Sequence, residues 1–319
     1  MEQVTLELTY PGGDRYTLAN PLSVSLVRTL ESPAQSLSIT LPMAAGNLPA
    51  VAVGAVVRRG GKQVFSGFCD QQTAREDSGG RTFTVQARSR GALVLDNEAL
   101  PQTYYDITVS ELFRRHLRPY GFSRLEVPRE VRLGIFTVPK GMCEWEVFSA
   151  FCSQGYGRQP IIGAGETVIV QPRDTAPAAV ITNRPGRKGL RYLSAEDILR
   201  RASVISEMLM RDKQGSYSRL LENPFGNPWQ VRRRRYIIPA AQYATVPLAD
   251  GYQRFLEAQR GSHTAEAVLP GWADLWPGDC LELDTGLGDQ GRMTVWRCRW
   301  DRSDRGEYTT VTLTPARLS

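Results

Sequence analysis

The sequence offers only two histidines, His116 and His263, and neither stands in a pattern that metal or nucleophilic chemistry requires. A metal centre needs several converging ligands, and a His-assisted nucleophile needs an oriented partner. His116 falls among Arg114, Arg115 and Arg118, and His263 opens an alternating segment. Both read as ordinary surface or core histidines. Acidic pairs occur at Glu282 with Asp284 and at Glu144 with Glu146. Glycoside hydrolysis needs two carboxylates facing each other across a cleft. Here one pair shares a strand face, and the other falls in a first helical turn, where the helix dipole favours acids.

Gly286-Leu287-Gly288-Asp289-Gln290-Gly291 matches G-x-G-x-x-G. A dinucleotide site needs that loop to open a helix, but Arg292 to Trp300 alternates like a strand. The segment therefore reads as a glycine-rich hairpin loop. Neither G-x-S-x-G nor a phosphate-binding G-x-x-x-x-G-K-[ST] is present. Cys69, Cys143, Cys152, Cys280 and Cys298 form no C-x-x-C pair and read as small core residues in a reducing compartment. The sequence assigns no catalytic, cofactor-binding or metal residue, no cofactor is expected, and the protein is expected not to be an enzyme.

The densest basic run is Arg232-Arg233-Arg234-Arg235, just before Tyr236-Ile237-Ile238. If it starts a strand, it sends two arginines to each face. Two readings stand: a contact to an acidic partner subunit or to DNA, and a solvated, salt-bridged strand. Arginine is enriched at protein interfaces, and no aromatics interleave regularly as a single-strand platform requires. The run is therefore the candidate partner interface, with protein ahead of DNA.

The elements that must position these residues are mostly strands. Val4, Leu6 and Leu8 alternate with Thr5, Glu7 and Thr9, and 36–41 alternates again. Strands are expected at 50–57, 63–69 and 82–87, with a turn at Ser78-Gly79-Gly80. The middle carries helices. Thr108-Val109-Ser110-Glu111 is a capping-box pattern in which Thr108 accepts from a free N–H and Glu111 reaches back. A second helix over 144–154 buries Trp145, Phe148, Phe151 and Cys152, and a third runs over 248–260 to a stop at Gly261. Two strands fall around Gly215 in 203–222, a loop at 224–228, and a hairpin turns at Ser303-Asp304-Arg305-Gly306. The fold class expected is mainly β with an α+β insert: a first small β-barrel over 1–100, a mixed middle over 101–200 and a second barrel over 201–319.

A chain of 319 residues suits about two or three domains. The net charge of +6 and pI of 9.2 permit attraction to acidic surfaces without requiring nucleic acid. No apolar run approaches a membrane span. Met1-Glu2-Gln3 leads straight into strand residues, unlike a secretory signal, so cytoplasmic production is expected.

Several segments together resemble the baseplate hub family of contractile tails, the late-control D proteins and the hubs of Mu-like and Bacillus-type prophages. They are Val64-Phe65-Ser66-Gly67-Phe68-Cys69-Asp70, then Ala87-Arg88-Ser89-Arg90-Gly91-Ala92-Leu93-Val94-Leu95-Asp96 with Ala99-Leu100-Pro101. Phe136 to Val147 is similar to a "G-x-S-x-W-E-v" helix start, with Trp145 and Glu146 in place and Cys143 where a capping serine is common. Leu269-Pro270-Gly271-Trp272 and Trp276-Pro277-Gly278-Asp279 resemble the entry to a second barrel. The resemblance implies two tube-like barrels and a homotrimer joining the hexameric tail tube to the trimeric central spike, among other baseplate proteins. It also implies a virion location in the tail baseplate and a channel that passes DNA or tape-measure protein. Two rivals share the β composition. One is a tail-associated peptidoglycan hydrolase. The other is a carbohydrate-binding tail-tip module presenting Trp272 and Trp276 as flat platforms.

Overall fold

Alternation near the start of the chain becomes antiparallel sheet in the computed structural model, which describes residues 2–44, 50–170, 176–227, 229–240, 243 and 246–316. In β1 (Val4–Thr9), Val4, Leu6 and Leu8 turn inward while the residues between them stay half-exposed. β1 pairs with β2 (Arg15–Ala19). The chain continues through β3 (Ser23–Thr29), β4 (Ser32–Pro42), β5 (Gly54–Arg59), β6 (Lys62–Asp77) and β7 (Gly80–Ser89). Their inward residues form one core with Phe65, Phe83, Ile39 and Leu26. After β7 comes the short helix α1 (Gly91–Asp96). A Cβ at Gly91 would meet the Pro33 carbonyl oxygen at 2.2 Å, so only glycine lets this helix start against β4.

The middle region has its own aromatic core. It runs through β8 (Gln102–Thr108), α2 (Val109–His116), β9 (Leu125–Glu126), β10 (Arg132–Val138), α3 (Glu144–Tyr156), β11 (Ile161–Ile162) and β12 (Val168–Ile169). The Phe136 and Phe151 rings meet edge-on at 5.4 Å between β10 and α3. Trp145, Phe148 and Cys152 lie on the buried side of α3.

Next come β13 (Ala179–Thr182) and β14 (Ser194–Leu199). The sequence groups these residues with the middle region. Instead β13 pairs with β19 (Cys280–Thr285), and β14 with β18 (His263–Pro270). Ile181 and Thr182 are fully buried against that distant sheet. Short segments declare a strand period but not a partner. A further small core stands apart from the expected second barrel. β15 (Glu207–Met210), β16 (Arg219–Glu222) and β17 (Arg234–Ile237) form a three-stranded sheet with β15 in the centre. Met208, Met210 and Ile237 pack on Phe255 of α4 (Pro247–Arg260). Within the expected loop at 224–228, Gly226 N–H donates to Asn223 O, and Pro228 lies outside the described residues.

β20 (Gly288–Ser303) and β21 (Gly306–Pro315) complete the chain. The Gly286–Gly291 segment is a hairpin: Thr285 pairs with Gly288. β20 joins the two β halves, because it pairs with β21 on one side and β3 on the other. Among the described residues, one hydrogen-bonded path runs β14-β18-β21-β20-β3-β4-β7-β6-β5-β1-β2. The fold is mainly β, with α2 and α3 in the middle region and α4 on the small sheet.

Candidate partner interface

The arginine run sits at the open edge of the small sheet. The strand begins at Arg234 rather than Arg232, because Arg233 is held by a tight backbone exchange: its N–H donates to Ser206 Oγ and its carbonyl accepts from Ser206 Oγ, both at 2.9 Å. Only Arg234 and Arg235 therefore follow strand alternation. Arg234 Nε donates to Glu207 Oε1 at 2.9 Å, directly across the ladder. Among the described residues no carboxylate pairs with Arg232, Arg233 or Arg235. The next row on the same open face is apolar, since Leu220, Leu209 and Tyr236 lie in register across the three strands. Tyr236 is 62% exposed and Leu220 49%. Tyr217 packs edge-on against Tyr236 at 5.4 Å.

The middle-region residues take structural positions. Thr108 Oγ1 accepts from Glu111 N–H at 3.2 Å, which caps α2. The reciprocal half of the box is absent, because the Glu111 carboxylate accepts from Arg115 one turn on, at 2.6 Å. Glu146 accepts from Cys143 N–H at 2.8 Å and closes the start of α3. Trp145 is 9% exposed and meets Phe148. His116 is buried between β8 and α3: Nε2 is 3.0 Å from Tyr104 Oη and Nδ1 is 2.5 Å from Glu144 Oε2. Tyr120 Oη donates to the other Glu144 oxygen at 3.2 Å. His263, half-exposed, places Nε2 2.7 Å from Asp197 Oδ1 across β14 and β18.

The other acidic pair is also held. Arg187 donates to Glu282 and Asp284 at 2.5 Å each, and Arg184 reaches Asp284 at 2.9 Å. The Arg187 hydrogen bonds hold the Asp284 carboxyl below its ordinary value. Among the described residues, no group of three or more His, Cys, Asp or Glu could hold a metal ion. No described helix is long and apolar enough to cross a membrane.

One buried and one half-buried arginine carry no motif signal in the sequence. Arg28 of β3 is 4% exposed and inserts between Trp272 and Trp276. It donates to Gln35 Oε1, Asp274 Oδ1 and the carbonyls of Leu275 and Val64, at 3.1–3.3 Å. Trp272 also stands edge-on to Trp300 at 4.9 Å. Both tryptophans are thus half-buried around a cation and do not form flat platforms for a glycan. Arg59 of β5 donates to Glu307 of β21 at 2.7 Å, and Trp300 Nε1 donates to the same oxygen at 3.1 Å. The available signal was the Trp272–Trp276 spacing beside a lone arginine in an apolar strand, which alternation alone does not single out.

No protein-family model and no curated protein matches the chain. Solved structures do. A tail protein from Neisseria meningitidis MC58 is similar at TM-score 0.75 and 14% identity, over 98% of this chain and 96% of that one. The 43 kDa tail protein of prophage MuSo2 from Shewanella oneidensis is similar at TM-score 0.77 and 14% identity, over 100% and 99%. An Escherichia coli component of the type VI secretion system, described as structurally similar to the T4 tail proteins gp27 and gp5, follows at TM-score 0.55 and 12% identity, over 93% and 73%. At these identities the likeness establishes the fold alone, which is shared with these phage tail proteins.

Proposed function

We propose that this chain is a structural baseplate hub protein of a contractile phage tail or phage-like particle, a trimeric adaptor between the hexameric tail tube and the trimeric central spike. The observation that carries the reading is the end-to-end likeness to two tail proteins, over nearly the whole length of both partners. The β3–β20 pairing supports it. It joins the two β halves in one hydrogen-bonded sheet, as a subunit needs if three copies are to present six similar faces to a hexameric tube. The resemblance to a type VI secretion component supports a place beside the spike.

In this reading residues 1–100 supply one tube-like half and β13, β14 and β18–β21 the other, with the mixed middle and the small sheet of β15–β17 inserted in the chain between their strands. Each half closes toward a barrel, and the copies meet head to tail around a ring. The protein acts by holding other baseplate proteins and is not an enzyme. It is assembled in the host cytoplasm and resides in the tail baseplate, and the ring channel passes DNA or tape-measure protein. Quantitative mass spectrometry of purified tail particles tests this. Three copies per particle, matching the spike trimer, are expected, and absence from the particle overturns the proposal.

A further inference from the structure

The small sheet of β15, β16 and β17 ends, among the described residues, in an unpaired edge. In a parallel ladder, alternate residues of the outer strand turn their main-chain groups toward the neighbour. Arg233 O accepts from Glu207 N–H, and Ile237 O from Arg211 N–H, so Arg233, Arg235 and Ile237 face β15. The N–H and C=O groups of Arg234 and Tyr236 therefore point away from the sheet. Such an edge is a template for another strand.

A hollow lies at each end of this edge, and both are basic. The one at its start, about 520 Å³, is lined by Arg201, Arg232 and Arg233 with Gln230. Arg201 also steadies the loop there by donating to the carbonyls of Trp229 and Gln230. The one at its end, about 640 Å³, is lined by Arg211, Lys213 and Arg219 beside Ile238 and Pro239. Its one carboxylate, Asp212, is occupied, since it accepts from Ser218 Oγ and from the N–H groups of Gln214 and Ser216. From Arg233 to Ile238 the chain spans about 17 Å at the usual strand rise.

We infer that β17 is a strand-addition site for an extended acidic segment of a partner protein. The segment pairs with the Arg234 and Tyr236 main chains as a fourth strand and seats carboxylates in the two basic hollows. The charge is complementary at both ends, and the outward N–H and C=O groups pair with a main chain, which a nucleic acid does not offer. The inference deepens the partner-interface reading of the arginine run and does not require the chain to be a hub.

The test titrates the full chain into a fluorescein-labelled peptide, two Glu triplets separated by Val-Thr-Val-Thr, followed by fluorescence anisotropy. Saturable binding is expected. The double variant R232E/R233E should weaken it about tenfold or more, and so should Tyr236→Pro, which removes an outward N–H that the sheet does not use. A peptide N-methylated at alternate residues of the central four needs no protein variant and should also bind about tenfold or more weakly. Three results overturn the inference: no saturable binding, equal affinity for the N-methylated peptide, or tighter binding of a 12-nucleotide single strand than of the peptide. None of these bears on copy number in the tail particle, so the hub proposal stands or falls separately.

Discussion

The guanidinium carbon of Arg28 lies 3.8 Å from the centre of the Trp276 ring, so a charged side chain from the first β half is stacked inside a loop of the last. Burial pulls the Arg28 pKa down, opposed by nearby acidic groups, yet a guanidinium stays protonated in proteins. The cation is tolerated because Trp272, Trp276 and four hydrogen-bond acceptors surround it.

Arg28→Ala should therefore cost about 2–3 kcal/mol, because it removes the buried stack on Trp276 and the donor to the Leu275 and Val64 carbonyls, while Asp274 stays exposed to solvent. Arg28→Lys should recover part of that, since an ammonium keeps the charge but loses the planar stack and the fork of donors. Urea unfolding followed by tryptophan fluorescence checks both. Equal stability of Arg28→Ala and the parent would show that the clamp does not hold the halves together.

The Glu307 carboxyl provides a pH-dependent link at the same junction. Burial pushes it up, but the Arg59 hydrogen bond and charge, with the Trp300 N–H, outweigh that and leave it below its ordinary 4.5. A carboxyl depressed in the folded state contributes stability that is complete above the unfolded value and is lost as pH falls through the folded one. Stability should thus fall on acidification below about pH 4.5. Glu307→Gln should flatten that dependence while lowering stability at neutral pH by about 3 kcal/mol. Denaturant midpoints between pH 3 and 7 measure this, and parallel curves for parent and variant would refute it.

His116 bridges Tyr104 and Glu144 in the middle core. Replacing it by leucine takes one partner from the Glu144 carboxylate, which keeps only Tyr120, and one from the Tyr104 phenol, so His116→Leu should destabilise by about 1–3 kcal/mol. Changing both ends, His116→Leu with Glu144→Leu, should recover part of the loss in a double-mutant cycle. Additive losses would mean that the pair is not coupled.

Trp145→Ala should cost about 3–5 kcal/mol, because the indole is buried at the start of α3 and its removal leaves a large cavity. Thermal or chemical unfolding reads the effect. A loss under about 1 kcal/mol would mean that the residues around it collapse into the space.

The sequence by itself determined the local periods and their punctuation. Alternation at Val4, Leu6 and Leu8 placed β1, and Thr108 placed the start of α2. Glycines fixed the 286–291 hairpin, and Trp145 marked the buried side of α3. These features depend on neighbours within a few residues, so the linear pattern carries them. The motifs at 64–70, 87–96 and 136–147 also carried the likeness that the fold later matched. Only the tertiary structure decided which strands pair. That residues 179–199 leave the middle region, that β20 binds β3, and that Arg28 finds Trp272 and Trp276 are contacts across long stretches of chain. A strand's period of two states which face is buried but not which partner buries it. The arginine run shows the same division: its charge was plain in the sequence, while the ladder geometry that turns Arg234 and Tyr236 to an open edge belongs to the fold.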